Sequence, residues 1–136
     1  MVVLFYLLPL HHQKETIMEA IKIIRIEHPS DGIGIFRTGH YFDSYIAQHF
    51  YSKHRGMLTP YSDGLDLWMD NKDWFCAYKS IEQFKEWVEQ EWVVPILESG
   101  FNILLLSVTQ YQIGEYQVIY TKESIIKKEI INSLFI

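Results

Sequence analysis

The chain has few of the residues that would build a disulfide or a membrane span. Cys76 is the single cysteine among 136 residues, so no internal disulfide can form and a reducing compartment is expected. The apolar run VVLFYLLPL at residues 2–10 follows no basic residues and is too short to cross a bilayer. These two features predict a cytoplasmic protein with no membrane contact.

Positive charge is also scarce. Twelve Lys and Arg residues against 17 Asp and Glu give a net charge of −5, and the densest basic stretch is Lys127–Lys128. Proteins that bind duplex DNA through its phosphates need clustered Lys and Arg. The composition therefore argues against direct duplex DNA binding and is better suited to a basic protein partner.

Apolar residues are plentiful enough for one hydrophobic core. They make up 49% of the chain, aromatics make up 15%, and 136 residues are about the size of one domain. Strands are predicted for IKIIRIE (21–27), WFCAYK (74–79), FNILLLSV (101–108) and YQIGEYQVIY (111–120). We expect a single α+β domain with a twisted central sheet of four to six strands covered by two or three helices.

Three helices are predicted between these strands. The first covers residues 41–52, and the second, IEQFKEWVEQ, opens with a capping box formed by Ser80 and Gln83. A short helix around VVPILES is expected to stop at Gly100. The final stretch, TKESIIKKEIINSLF, is predicted to be a helix or an extended tail.

The recognisable pattern begins near Met18, at EAIKIIRIEH. Residues 1–17 are therefore interpreted as an N-terminal extension or a mis-called start, with an extra strand as a further alternative. Residues 18–136 form the predicted domain.

Acidic and aromatic residues alternate in the loop between residues 63 and 74. Asp63, Asp66, Asp70 and Asp73 recur at three- and four-residue intervals around Trp68. On a helical turn these carboxylates would share one face, and a basic groove could bind them in place of a row of phosphates. We take these five residues as a candidate binding surface, with an ordinary solvated acidic face as the alternative.

Neither a metal site nor a reactive thiol is predicted. His49 and His54 are five residues apart and diverge on a helix, and no matching pair of ligands accompanies them. Cys76 stands between aromatics with no neighbouring positive charge, so a buried, inert thiol is expected.

Arg25, Ser80 and Glu115 occur on successive predicted strands or strand ends, in the order Arg, Ser, Glu. That order resembles the arrangement in ADP-ribosyltransferase-like folds. The resemblance implies that Arg25 would hold the phosphates of NAD, Ser80 would brace the site, and Glu115 would stabilise the ribosyl cation. Ile113 replaces the carboxylate that such enzymes usually carry two residues before the glutamate, and Ser80 also has the capping role.

A second resemblance covers most of the chain. IRIEHPSDGIGIFRTG, LTPYSDG, FCAYKSIEQFKEWV and GEYQVIYTKESI resemble small proteins of phages and prophages, a group that includes anti-CRISPR inhibitors. This resemblance implies an inhibitor without a cofactor that binds an RNA-guided nuclease effector, of type VI in the closest comparison, with or without its guide RNA.

Three functions follow from the sequence. The first is a binding inhibitor, which would be indifferent to Glu115→Gln. The second is an ADP-ribosyltransferase-like enzyme that uses NAD, and the third is a phage structural or housekeeping protein with neither activity.

Overall fold

A computed structural model describes residues 2–6, 15–36, 44–56 and 59–136. The strands in these ranges are β1 (Val2–Tyr6), β2 (Glu15–Glu19), β3 (Ile21–Glu27), β4 (Phe75–Ala77), β5 (Asn102–Val108), β6 (Tyr111–Ile113), β7 (Val118–Tyr120) and β8 (Ile125–Ile130). The helices are α1 (Ser44–His54), α2 (Ile81–Trp87) and α3 (Gln90–Glu98). The predicted α+β class and the single domain are confirmed.

The strands form two three-stranded antiparallel sheets, in the orders β3-β5-β8 and β4-β7-β6, and a separate β1-β2 hairpin. Two backbone hydrogen bonds between Ile24 and Tyr78, of 3.0 and 2.8 Å, join the end of β4 to the edge of β3. The six strands therefore divide into two linked sheets, whereas the sequence predicts one continuous sheet.

β3 and β5 form the middle layer of the molecule because both of their faces are covered. Ile24 and Ile26 point from β3 toward the helices, where they join buried residues of all three, including Phe50, Phe84 and Trp92. From the same strand Ile23 points the other way. It packs with Leu104, Leu106, Val108, Ala77, Val118 and Tyr120, which lie on β5, β4 and β7. Burial on both faces explains why β3 and β5 are nearly continuous in apolar residues.

All three predicted helices are observed, although α2 ends at Trp87 and not at residue 90. Gln83 Oε1 accepts the Lys79 N–H at 2.6 Å, where a capping box would have it accept the Ser80 N–H. Ser80 Oγ accepts the Gln83 N–H at 3.1 Å, as a capping serine should, and Gly100 ends the α3 region with a φ of +96°. The predicted helix at 41–52 is observed from Ser44 to His54, and its first three positions lie outside the described residues. No helix in the described residues is both long and apolar enough to span a membrane.

Three local predictions are wrong. YQIGEYQVIY is two strands, β6 and β7, joined by a turn. The C-terminal stretch forms β8 and a 3₁₀ turn (Asn132–Phe135), because β8 pairs along β5. Cys76 is exposed, because it alternates with Phe75 and Ala77, which face the core.

The first described strands lie upstream of the central sheet. β1 pairs with β2 from Val2↔Glu19 to Tyr6↔Glu15. The predicted boundary between residues 17 and 18 falls inside β2, and the interpretation of residues 1–17 as an extension stays a prediction.

Candidate functional site

The described surface carries two strongly exposed aromatic side chains in one short stretch. Trp68 is 87% exposed and Tyr61 is 86% exposed, and Met69 is also exposed beside Trp68. Asp66, Asp70 and Asp73 are exposed in the same stretch, against one lysine, Lys72. We call residues 59–74 the acidic–aromatic segment.

The acidic–aromatic segment is held by the β6-β7 hairpin. The Gln112 side chain accepts the Asp66 N–H and donates to the Asp66 carbonyl, both at 2.8 Å, and so imitates a neighbouring strand. Leu65 is buried just before this contact. The segment is therefore fixed at its centre although most of its side chains face solvent.

Asp63 provides a second attachment point and is not part of the exposed acidic surface. Its carboxylate accepts the N–H groups of Glu115, Tyr116 and Gln117 at 2.9, 3.0 and 3.2 Å. These bonds close the turn between β6 and β7. The Asp63 carboxylate is therefore directed at the β6-β7 turn, and its membership of the predicted binding surface stays a prediction.

Local turns orient the remaining acidic residues. Asp66 Oδ1 accepts the Trp68 N–H at 2.9 Å, and Asp70 and Asn71 are left-handed, with φ of 56° and 52°. Asp and Asn adopt this conformation more readily than most residues. The Trp74 indole donates to the Met69 carbonyl at 3.0 Å and closes the segment. The predicted helical face is thus replaced by consecutive turns that project Trp68 outward.

Arg25 lies in a different and largely buried network. It is 8% exposed, and it donates through Nε to Glu27 at 3.3 Å and through Nη1 to the Cys76 carbonyl at 2.8 Å. Its guanidinium lies over the rings of Phe75 and Tyr120, 5.5 and 5.9 Å from their centroids. These contacts account for a buried arginine as a structural group that links the two sheets.

The ion-pair partners of Glu27 come from distant parts of the chain as well as from its own strand. Glu27 is buried and also lies 3.6 Å from Lys122 and 3.3 Å from Lys128, so three cations surround one carboxylate. A signal was present in IKIIRIE, because Arg25 and Glu27 are two residues apart and share one face of a strand. Lys122 and Lys128 lie about 100 residues further along the chain, so no local sequence pattern could predict their contact with Glu27.

Ser80 and Glu115 belong to neighbouring elements. Lys79 Nζ donates to the carbonyls of Gly114 and Glu115 at 3.1 and 2.6 Å, so the start of α2 contacts the β6-β7 turn. Glu115 is exposed in this turn between β6 and β7, and not on a strand or strand end as predicted. Arg25 contacts Glu27, Cys76 and the two rings described above, and the catalytic set of Arg25, Ser80 and Glu115 stays a prediction.

His49 and His54 lie in different environments, as their five-residue spacing predicts. His49 is exposed and His54 is buried, where its Nδ1 donates to the Phe50 carbonyl and its Nε2 accepts from the Tyr78 hydroxyl, both at 2.8 Å. Burial lowers the pKa of His54 to about 4 and raises the pKa of Tyr78. Within the described residues no three His, Cys, Asp or Glu side chains are grouped as metal ligands.

The fold and this surface define a small α+β protein with two strongly exposed aromatic side chains in an acidic segment. The chain belongs to a phage protein family, described as Bacteriophage T4 Y00F protein, whose family model matches residues 18–133. No curated protein and no solved structure matches the chain.

Proposed function

We propose that the protein is a phage anti-defence protein that inhibits an RNA-guided nuclease effector by binding it through the acidic–aromatic segment. The observation that carries this proposal is Trp68, which is 87% exposed on a segment fixed by Gln112 and Asp63. Exposed tryptophan is costly in a monomer, and Trp and Tyr supply much of the affinity at protein interfaces.

The anchoring supports binding because it reduces the ordering that complex formation requires. The contacts of Asp66 with Gln112 and of Trp74 with Met69 fix the backbone on both sides of Trp68 before any partner arrives. A surface ordered in advance loses less conformational entropy on binding.

The carboxylates support a basic partner. Asp66, Asp70 and Asp73 are exposed around Trp68, and the whole chain has a net charge of −5. An RNA-binding groove carries Lys and Arg to hold phosphates, so it has the complementary charge for this surface. The phage family is consistent with an anti-defence role, and the type VI effector is the target we propose first.

Binding to purified type VI effectors, with and without guide RNA, tests this proposal. We expect the wild-type chain to form a stoichiometric complex, and Trp68→Ala to weaken it at least tenfold because an interface tryptophan is often worth about 2 kcal/mol or more. The matched control is Tyr45→Ala, which removes an exposed aromatic on α1. If Trp68→Ala and Tyr45→Ala lost the same affinity for the effector, the acidic–aromatic segment would not be the binding surface.

The same experiment with NAD tests the alternative of an ADP-ribosyltransferase-like enzyme. A binding inhibitor keeps full affinity in Glu115→Gln, and the mass of its target does not change. An NAD-dependent mass increase on the target that disappears in Glu115→Gln would instead assign catalysis to Glu115.

A further inference from the structure

The outer edge of β8 is free of any neighbouring strand in the described residues. Among the described strands, β8 is the last in the order β3-β5-β8 and pairs with β5 alone, and a register shift in this pairing leaves Ile126 as a bulged residue. Two apolar side chains face solvent on this strand, Ile126 (44% exposed) and Ile130 (63% exposed). Lysines on an edge strand often prevent further pairing, so the positions of Lys127 and Lys128 decide what this edge can accept.

The backbone pattern shows which residues present hydrogen-bonding groups at the free edge. The Ile131 N–H donates to the Ile103 carbonyl at 2.9 Å, toward β5. Because these groups alternate along a strand, Lys127 and Glu129 also turn toward β5, and Lys128 and Ile130 turn outward. A strand added to this edge would therefore bond to Lys128 and Ile130.

We propose that a second copy of the chain adds antiparallel to β8, with Lys128 on the two-fold axis, and joins two three-stranded sheets into one of six strands. This register sets Lys128 against the same residue of the partner, so that the two Lys128 residues exchange their outward N–H and C=O groups. A register displaced by one residue would set an outward residue against an inward one and could not form the ladder.

The side chains in this register are complementary. Lys127 lies opposite the partner's Glu129, and the two-fold axis repeats this pair. The bulge at Ile126 ends the regular ladder, so the paired stretch runs from Lys127 to Glu129 in each copy. Lys127 and Glu129 already share a face within one strand, where their side chains meet at 2.6 Å. Pairing would extend this contact into alternating charges across the axis, and opposite-charge pairs of this kind stabilise antiparallel sheets.

The two Lys128 residues at the axis do not oppose this arrangement strongly. Lys128 Nζ lies 3.3 Å from Glu27 Oε2 of its own chain, so its charge is directed back over the sheet. Glu27 is buried and holds the lysine there. Because the two strands would pair over only a few residues, we expect a weak dimer that forms between micromolar and millimolar concentrations.

Sedimentation equilibrium of the full chain over this concentration range tests the proposal. We expect the apparent mass to rise from 16.2 kDa toward twice that value. Lys127→Glu and Glu129→Lys each set like charges across the axis and should each weaken self-association roughly tenfold. An equimolar mixture of the two variants restores both opposite-charge pairs, so it should form a heterodimer more strongly than either variant alone forms a homodimer.

The matched controls are Lys85→Glu and Glu82→Lys, which make the same charge changes at exposed positions of α2. They should leave self-association unchanged alone and when mixed, and circular dichroism should show that all variants are folded. A wild-type chain that stays at 16.2 kDa at every concentration would overturn the proposal. A mixture of Lys127→Glu and Glu129→Lys that behaves like the control mixture would overturn it as well.

Discussion

At the scale of single residues, the buried pair of His54 and Tyr78 gives the fold a defined response to pH. Desolvation lowers the pKa of His54 from 6.5 to about 4, so the folded protein keeps the ring neutral while the unfolded chain binds a proton. This contribution to stability is complete above pH 6.5 and is lost as the pH falls toward 4.

We expect His54 to account for a loss of about 3 kcal/mol in the free energy of unfolding between pH 7 and pH 4, from the shift in its pKa. Urea denaturation across this range measures the loss. His54→Gln should have a flatter pH profile because the titrating group is gone. His49→Gln, at an exposed position of the same helix, should keep the wild-type profile. If the free energies of unfolding of wild type and His54→Gln changed in parallel with pH, His54 would not be the titrating group.

Gly64 and Gly100 both have a positive φ. Comparing substitutions at the two positions separates the free-energy cost of backbone strain from that of a side-chain clash. Gly64 has a φ of +78°, and a Cβ added there would meet open space within 4 Å, whereas a Cβ on Gly100, at +96°, would lie 2.8 Å from His28 Nε2. His28 has little room to move because its Nδ1 contacts Ser30 Oγ at 2.8 Å and its ring packs edge-on against Phe101.

Alanine at Gly64 should therefore reduce the free energy of unfolding by about 1 to 2 kcal/mol, the usual cost of left-handed backbone at a residue with a Cβ. Alanine at Gly100 should cost about 1 kcal/mol more, because His28 must also move. Thermal unfolding of the two variants measures both effects. A smaller loss at Gly100 than at Gly64 would show that His28 moves away freely.

At the scale of elements, helices and strands with a local sequence signal are predictable. Those that form through contacts with distant parts of the chain are not. The apolar runs of β3 and β5 and the Ser80 cap of α2 are all local signals, and all are observed. The β6-β7 turn depends on Asp63, which lies more than 50 residues earlier in the chain. Residues 125–130, IIKKEI, suit a helix or a strand, and pairing with β5 decides between them.

The candidate surface was predictable in composition but not in shape. The spacing of Asp66, Trp68, Asp70 and Asp73 identified an acidic and aromatic stretch, which the structure places at the surface. The clamp by Gln112 and the inward turn of Asp63 could not be predicted, because both depend on the packing of the hairpin against this stretch.

Removal of the Asp63 carboxylate tests how strongly it holds the hairpin. We expect Asp63→Ala to lower the free energy of unfolding by about 2 kcal/mol, since three N–H groups lose a charged acceptor. Asp73→Ala, at an exposed position of the same segment, should change it by less than about 0.5 kcal/mol. Similar values for the two variants in urea denaturation would mean that the Asp63 bonds contribute little.

At the scale of the whole molecule, charge should control how fast the protein meets its partner. Asn in place of Asp66, Asp70 and Asp73 together removes three negative charges, and it preserves the Oδ1 acceptor at residue 66 and the left-handed turn at residue 70. We expect this triple variant to associate with a basic effector about tenfold more slowly at low salt and to respond less to added salt. Stopped-flow association rates measure both effects, and an unchanged rate would remove these carboxylates from the binding surface.

The most direct test of the account is the cleavage of RNA by a guide-loaded type VI effector in the presence of increasing amounts of the protein. The wild-type chain should stop cleavage near one equivalent, Trp68→Ala should need at least ten times as much, and Tyr45→Ala should match the wild type. Full cleavage at every wild-type concentration, or equal inhibition by wild type and Trp68→Ala, would contradict the proposal that the acidic–aromatic segment inhibits such an effector.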